Sequence, residues 1–209
     1  QFAYANEALT AAAAQISTEN TKLAALAYYD LRKLFPKETS KTIPSYFYEA
    51  KAYSFINDLP TYSSKFAQFQ EMDNKGQIPA LQAEGIYLLG KIQSNAQQYN
   101  DAINTLGQVE TKFPKETKLI IDARKELAVC YQKSGNTQES IRTLEETLSK
   151  YTGDDYNQAY INLMIGLSYQ QLGDRTNAAA ALQKVADMPS TPGLRGPQMA
   201  ARAALQQYK

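Results

Sequence analysis

Phe35-Pro-Lys-Glu-Thr39 reads FPKET, and the same five letters return as Phe113-Pro-Lys-Glu-Thr117, 78 positions later. Proline cannot continue a helix that reaches it, and it biases the residue before it toward extended backbone, so each word reads as the stop of a helical segment. Weaker stops lie between and beyond the two words: Glu71-Met72-Asp73-Asn74-Lys75-Gly76, Lys150-Tyr151-Thr152-Gly153 and Asp187-Met188-Pro189. The ends then fall at Phe35, Met72, Phe113, Tyr151 and Met188, a period of 37 to 41 residues. A fixed period in this range is the mark of stacked repeats.

Inside each interval the apolar spacing is helical and a polar turn divides it in two. In the fourth, Ala128 and Tyr131 precede Ser134-Gly135-Asn136, and Ile141, Leu144, Leu148 and Tyr151 form the stripe of a second helix. Asn136 with Glu139 is expected to cap that helix reciprocally. The fifth repeats the plan with Ile165, Gly166, Tyr169 and Leu172-Gly173-Asp174, then Ala178, Leu182, Val185 and Ala186. Gly90, Ala128 and Gly166 are placed for close helix approach, and Tyr28, Tyr131, Tyr151 and Tyr169 for the core. Alternating strand patterns are scarce. The expectation is an all-α, right-handed α-solenoid in one domain over residues 1–209. Its helix-turn-helix units would span about 4–36, 44–73, 79–114, 117–152 and 154–189. After the loop Pro189-Ser-Thr-Pro-Gly-Leu-Arg-Gly-Pro197, a stripe of Ala201, Ala204, Leu205 and Tyr208 predicts a capping helix over about 197–208.

Composition narrows the function. Lys plus Arg number 22 against 21 Asp plus Glu, so no net field draws phosphate backbones and nucleic acid is not an expected partner. Histidine and tryptophan are absent and Cys130 is the one cysteine. An internal disulfide is therefore impossible, metal sites lack their usual ligands, and a histidine-based nucleophile system has no base. The expectation is no catalysis, no cofactor and no metal, with Cys130 a small buried filler. The most apolar window, Ala8 to Ala14, falls far short of the roughly 20 residues of a membrane span. The start at Gln1 rather than Met suggests a processed or trimmed product.

These units resemble the tetratricopeptide repeat (TPR), a helix-turn-helix of about 34 residues. Leu89-Gly90, Ala102, Leu106 and Pro114 match its pattern, as do Leu127-Ala128, Tyr131, Gly135 and Leu144, and best of all Ile165-Gly166, Tyr169, Gly173, Ala178 and Leu182. Ala12, Ala24, Tyr28 and Pro36 suggest an earlier copy, and Ala52, Phe55, Tyr62, Phe66 and Phe69 another. Departures are Gln93, where an aromatic is usual, and Asn57-Asp58-Leu59-Pro60, which is one residue awkward for the turn. The wide spacing, the Phe-Pro unit ends and Tyr99-Asn-Asp-Ala-Ile-Asn-Thr-Leu106 are similar to bacterial cell-envelope TPR proteins of the outer-membrane assembly, Tol-Pal-associated and translocon-associated types. That likeness implies a non-catalytic adaptor, periplasmic or membrane-anchored in a bacterial envelope, with the cytoplasm as the alternative.

In such an array the first helix of each unit lines a concave groove. The resemblance places Tyr46, Glu49, Tyr53 and Asn57 of the second unit there, with Glu84, Tyr87, Lys91 and Asn95 of the third. The fourth adds Asp122, Lys125, Gln132 and Lys133, and the fifth Tyr160, Gln170 and Gln171. Tyrosine and amide side chains suit an extended peptide, since the ring buries area at low entropy cost and the polar tips adapt. Chaperone-binding relatives grip a terminal carboxylate with Lys and Asn one turn apart. The corresponding pairs here are Glu49 with Tyr53, Tyr87 with Lys91 and Lys125 with Val129, so an internal segment or folded surface is the expected partner. Alternatives are a carbohydrate or small ligand, and self-association as a structural module.

Overall fold

The computed structural model describes residues 1–151 and 153–208 and, among them, contains eleven α-helices and no strand. The chain divides into two compact units, Gln1–Glu116 and Thr117–Lys209. The first holds three helical hairpins: α1 (Phe2–Ala14) with α2 (Thr18–Leu34), α3 (Thr39–Ser54) with α4 (Leu59–Met72), and α5 (Pro79–Asn95) with α6 (Tyr99–Lys112). The second holds α7 (Thr117–Lys133) with α8 (Thr137–Lys150), α9 (Asp155–Gln171) with α10 (Arg175–Ala186), and the terminal α11 (Arg195–Leu205), flanked by 3-10 turns at Pro192–Leu194 and Gln206–Tyr208. Five hairpins and a final helix are the all-α plan expected from the period.

The FPKET words act as punctuation. Phe35 and Phe113 each end a helix by donating their N–H to the carbonyl four residues back, that of Leu31 or Val109. In each word the Glu N–H then returns to the Phe carbonyl, at 3.1 and 3.0 Å, closing a turn with proline at its second position. At the middle stop the helix runs to Met72 with Asp73 as its C-cap, and the same turn closes from Gly76 N–H to Asp73 O at 2.8 Å. No proline is needed because the buried Asp73 carboxylate holds the loop. It accepts from the N–H of Gln77 at 2.8 Å and Ile78 at 3.3 Å, and from the Gln82 amide at 3.0 Å. In the last hairpin the helix runs to Ala186 with Asp187 as its C-cap, short of the expected Met188.

Within hairpins, four reversals share one backbone design. Asn57, Gln97, Gly135 and Gly173 adopt positive φ, and the N–H of the next residue reaches the carbonyl five back at 2.8–3.2 Å. This is the Schellman closure of a helix C-terminus. The Asn57 turn, which looked awkward in sequence, is therefore regular, since asparagine tolerates the left-handed region. Asp58 and Asp174 cap the following helices by accepting from Thr61 and Asn177 N–H. The reciprocal cap expected of Asn136 and Glu139 does not form: the Asn136 amide donates to Ser134 Oγ, and Glu139 is drawn to Arg142 at 2.6 Å.

Small residues set the helix separations. A Cβ at Gly90 would lie 2.5 Å from Leu106, one at Gly166 2.7 Å from Leu182, and one at Gly85 2.0 Å from the Phe66 ring, so each glycine is filled by its partner. Tyr28 is fully buried as expected, and so is Tyr62, whose hydroxyl donates to Gly85 O at 2.8 Å. Tyr131, Tyr151 and Tyr169 are only half-buried: Tyr151 and Tyr169 pack against the edge of the cluster of Ile121, Ala128, Leu144, Ile161 and Ile165, and the Tyr169 hydroxyl reaches the exposed Glu145 at 3.1 Å. Cys130 is buried. Buried Arg124 ties α7 to α8 through Thr147 Oγ1 at 2.8 Å, Thr143 O at 3.3 Å and Glu146 at 2.8 Å.

Gln97 holds a backbone conformation that glycine adopts freely. Gln97→Gly is expected to raise unfolding stability by about 1 kcal/mol and Gly135→Ala to lower it by a similar amount, both read by urea denaturation.

Candidate partner-binding faces of the first helices

The first unit sorts its expected groove residues into three environments. Glu49 is not on an open face: it is 4% exposed, paired with Arg32 of α2 and, at 2.7 Å, with Lys65 of α4. A carboxylate can sit this deep only with such cations beside it, and they remove it from reach of a partner. Tyr46 is half-buried under the Arg32 guanidinium, which lies 4.1 Å from its ring centroid. Tyr53 packs against the cluster of Ala12, Ala24, Ala25 and Ala52, and burial, with Glu49 second, pushes its phenol above the ordinary range.

The remaining residues lie along facing stripes of α3 and α5. Glu84 accepts from Lys51 at 2.6 Å and the Asn95 amide donates to Asn57 at 2.6 Å, while Lys91 is exposed and Tyr87 half-buried. A pocket of about 310 Å³ opens between these stripes.

The second unit repeats the lateral bonding. Lys125 pairs with Asp122 at 2.7 Å, donates to Asn157 Oδ1 at 2.8 Å and lies 5.7 Å from the Tyr160 ring. Gln132 donates to Gln171 at 2.7 Å, Gln170 bonds Gln207, and Lys133 is exposed. These bonds join residues 32 to 39 positions apart, so much of the polar equipment expected to meet a partner instead holds adjacent first helices together. The open feature of this face is a pair of tyrosines. Tyr156 and Tyr160 are 48% and 39% exposed, with near-parallel rings 6.1 Å apart.

Tyr156, Asn157, Lys51 and the pocket-wall residues Leu88 and Ile92 were not singled out from sequence, and Phe55 was read only as part of the repeat pattern. Tyr156 carried a usable signal, one helical turn ahead of Tyr160; Lys51 gains meaning only from Glu84, 33 positions away. Among the described residues no cluster of His, Cys, Asp and Glu could hold a metal ion, and no helix is long and apolar enough to cross a membrane. Tyr53→Ala should lower the melting temperature by several degrees while Tyr160→Ala leaves it nearly unchanged, as thermal melts followed by circular dichroism will show.

Three segments, 84–116, 126–153 and 160–188, match the family model of the tetratricopeptide repeat. No curated protein matches the chain. Among solved structures it is similar to MamA, with a TM-score of 0.61, 18% identity, and coverage of 91% of this chain and 93% of that one. It is also similar to a Podosopora anserina kinesin light chain protein with nearly identical TPR-like repeats, at a TM-score of 0.65, 17% identity, and 95% and 96% coverage. A third is YrrB, a TPR protein with an unusual peptide-binding site, at a TM-score of 0.60, 16% identity, and 90% and 84% coverage. Three segments of the chain are thus similar to tetratricopeptide repeats, and its fold is a TPR-like α-solenoid.

Proposed function

We propose that the protein is a non-catalytic scaffold that binds a protein or peptide segment on the faces of its first helices. The exposed, stacked pair of Tyr156 and Tyr160 carries this reading. Two parallel rings on one helical stripe offer a flat apolar ledge, and Lys125 and Asn157 beside it supply polar contacts at its edge. YrrB, a similar fold, has a peptide-binding site, which supports the same use here. Replacing both tyrosines by alanine removes the ledge without touching the core. The Tyr156→Ala, Tyr160→Ala double variant should lose capture of protein partners in a pull-down while keeping wild-type helicity; undiminished capture would refute the assignment.

The reading extends to a bacterial cell-envelope complex, periplasmic or membrane-anchored. Its support is the likeness of the Phe-Pro unit ends and of Tyr99-Asn-Asp-Ala-Ile-Asn-Thr-Leu106 to envelope adaptors. Fractionation of the native host should recover the protein with periplasm or membranes, and recovery in the cytosol would overturn this part alone.

A further inference from the structure

The pocket in the first unit has a chemistry of its own. Phe55 at the end of α3 and Leu88 and Ile92 of α5 give it apolar walls, with Ile92 only 2% exposed. At its mouth stand Lys51, Lys91 and the Asn95–Asn57 amide pair. The charges do not balance. Lys51 is matched by Glu84 at 2.6 Å, whereas Lys91 makes no ion pair or hydrogen bond among the described residues. One uncompensated ammonium therefore stands beside apolar walls, at the small end of the roughly 300–1,000 Å³ range of ligand pockets.

Resting on the peptide-binding reading above, we infer that this pocket takes one apolar side chain of an extended internal segment whose adjacent Asp or Glu pairs with Lys91. The volume admits a side chain or two rather than a large cofactor. The uncompensated cation selects a neighbouring carboxylate by charge complementarity. The Asn95 amide donates one N–H to Asn57 Oδ1, which holds both side chains at the mouth. The pair retains both N–H groups of Asn57, the second N–H of Asn95 and the Asn95 oxygen, donors and an acceptor suited to the backbone of a passing chain.

The test uses the 209-residue chain and a library of random 12-residue segments displayed between fixed flanks, so that no terminal carboxylate is offered. The enriched segments should place Leu, Ile, Met or Phe within two residues of Asp or Glu. The best of them, made as an acetylated and amidated peptide, should bind at least about tenfold more weakly to Lys91→Glu and measurably more weakly to Lys91→Ala. It should bind Lys91→Glu better once its acid is changed to Lys. Lys91 is exposed, so both variants are expected to keep wild-type circular dichroism. Enrichment without acidic residues, binding indifferent to both Lys91 variants, or binding that appears only with a free terminal carboxylate would overturn this inference and leave peptide binding standing. A library with no enriched segment at all would overturn both.

Discussion

Each hairpin from the second onward depends on a single backbone event: one residue enters the left-handed region, and the next N–H reaches back five residues to cap the helix that has just ended. Asn57, Gln97, Gly135 and Gly173 perform it at near-constant intervals. Because a helix presents one apolar stripe, reversing the chain at the same phase each time brings successive stripes together. The glycines at 85, 90 and 166 then let the paired helices approach until Phe66, Leu106 and Leu182 fill the gap. A residue that resists positive φ at one of these four points strains the closure rather than a single contact, which is why Gln97 stands out among otherwise suitable residues.

The other organising feature is lateral. Side chains one repeat apart find one another along the first helices: Lys51 with Glu84, Asn57 with Asn95, Lys125 with Asn157, Gln132 with Gln171 and Gln170 with Gln207. Bonds between exposed partners of this kind contribute little individually. Present within each unit, they occupy donors and acceptors that would otherwise face a partner. What is left open is sparse and distinct in the two units: an apolar pocket with one uncompensated lysine in the first, and a tyrosine ledge in the second. Binding on such a surface rests on a few anchors rather than on a continuous polar lining.

The helical class and the rhythm of the units could be read directly, because proline, the 3.6-residue apolar period and the turn glycines are local signals. The role of Asp73 after the stop at Met72 was not legible, because a buried carboxylate that gathers a loop has no composition cue. The Asn136 and Glu139 cap failed because the competing Arg142 lies one turn ahead on the same exposed face. Of the expected groove residues, Glu49 and Tyr53 went into packed surroundings, while Tyr160 and Lys91 stayed open. A repeat frame assigns a helical face by phase alone, and phase cannot distinguish a side chain that points at solvent from one that meets a neighbouring helix.

Sequence alone determined the helices, most of their reversals and the missing chemistry of histidine, since each follows from what a residue does to its own backbone or carries in its own side chain. Tertiary structure decided which polar groups are consumed by partners 32 to 39 residues away and which remain for another molecule. That division depends on distances between helices, and those are set by packing across the whole hairpin rather than by any residue in isolation.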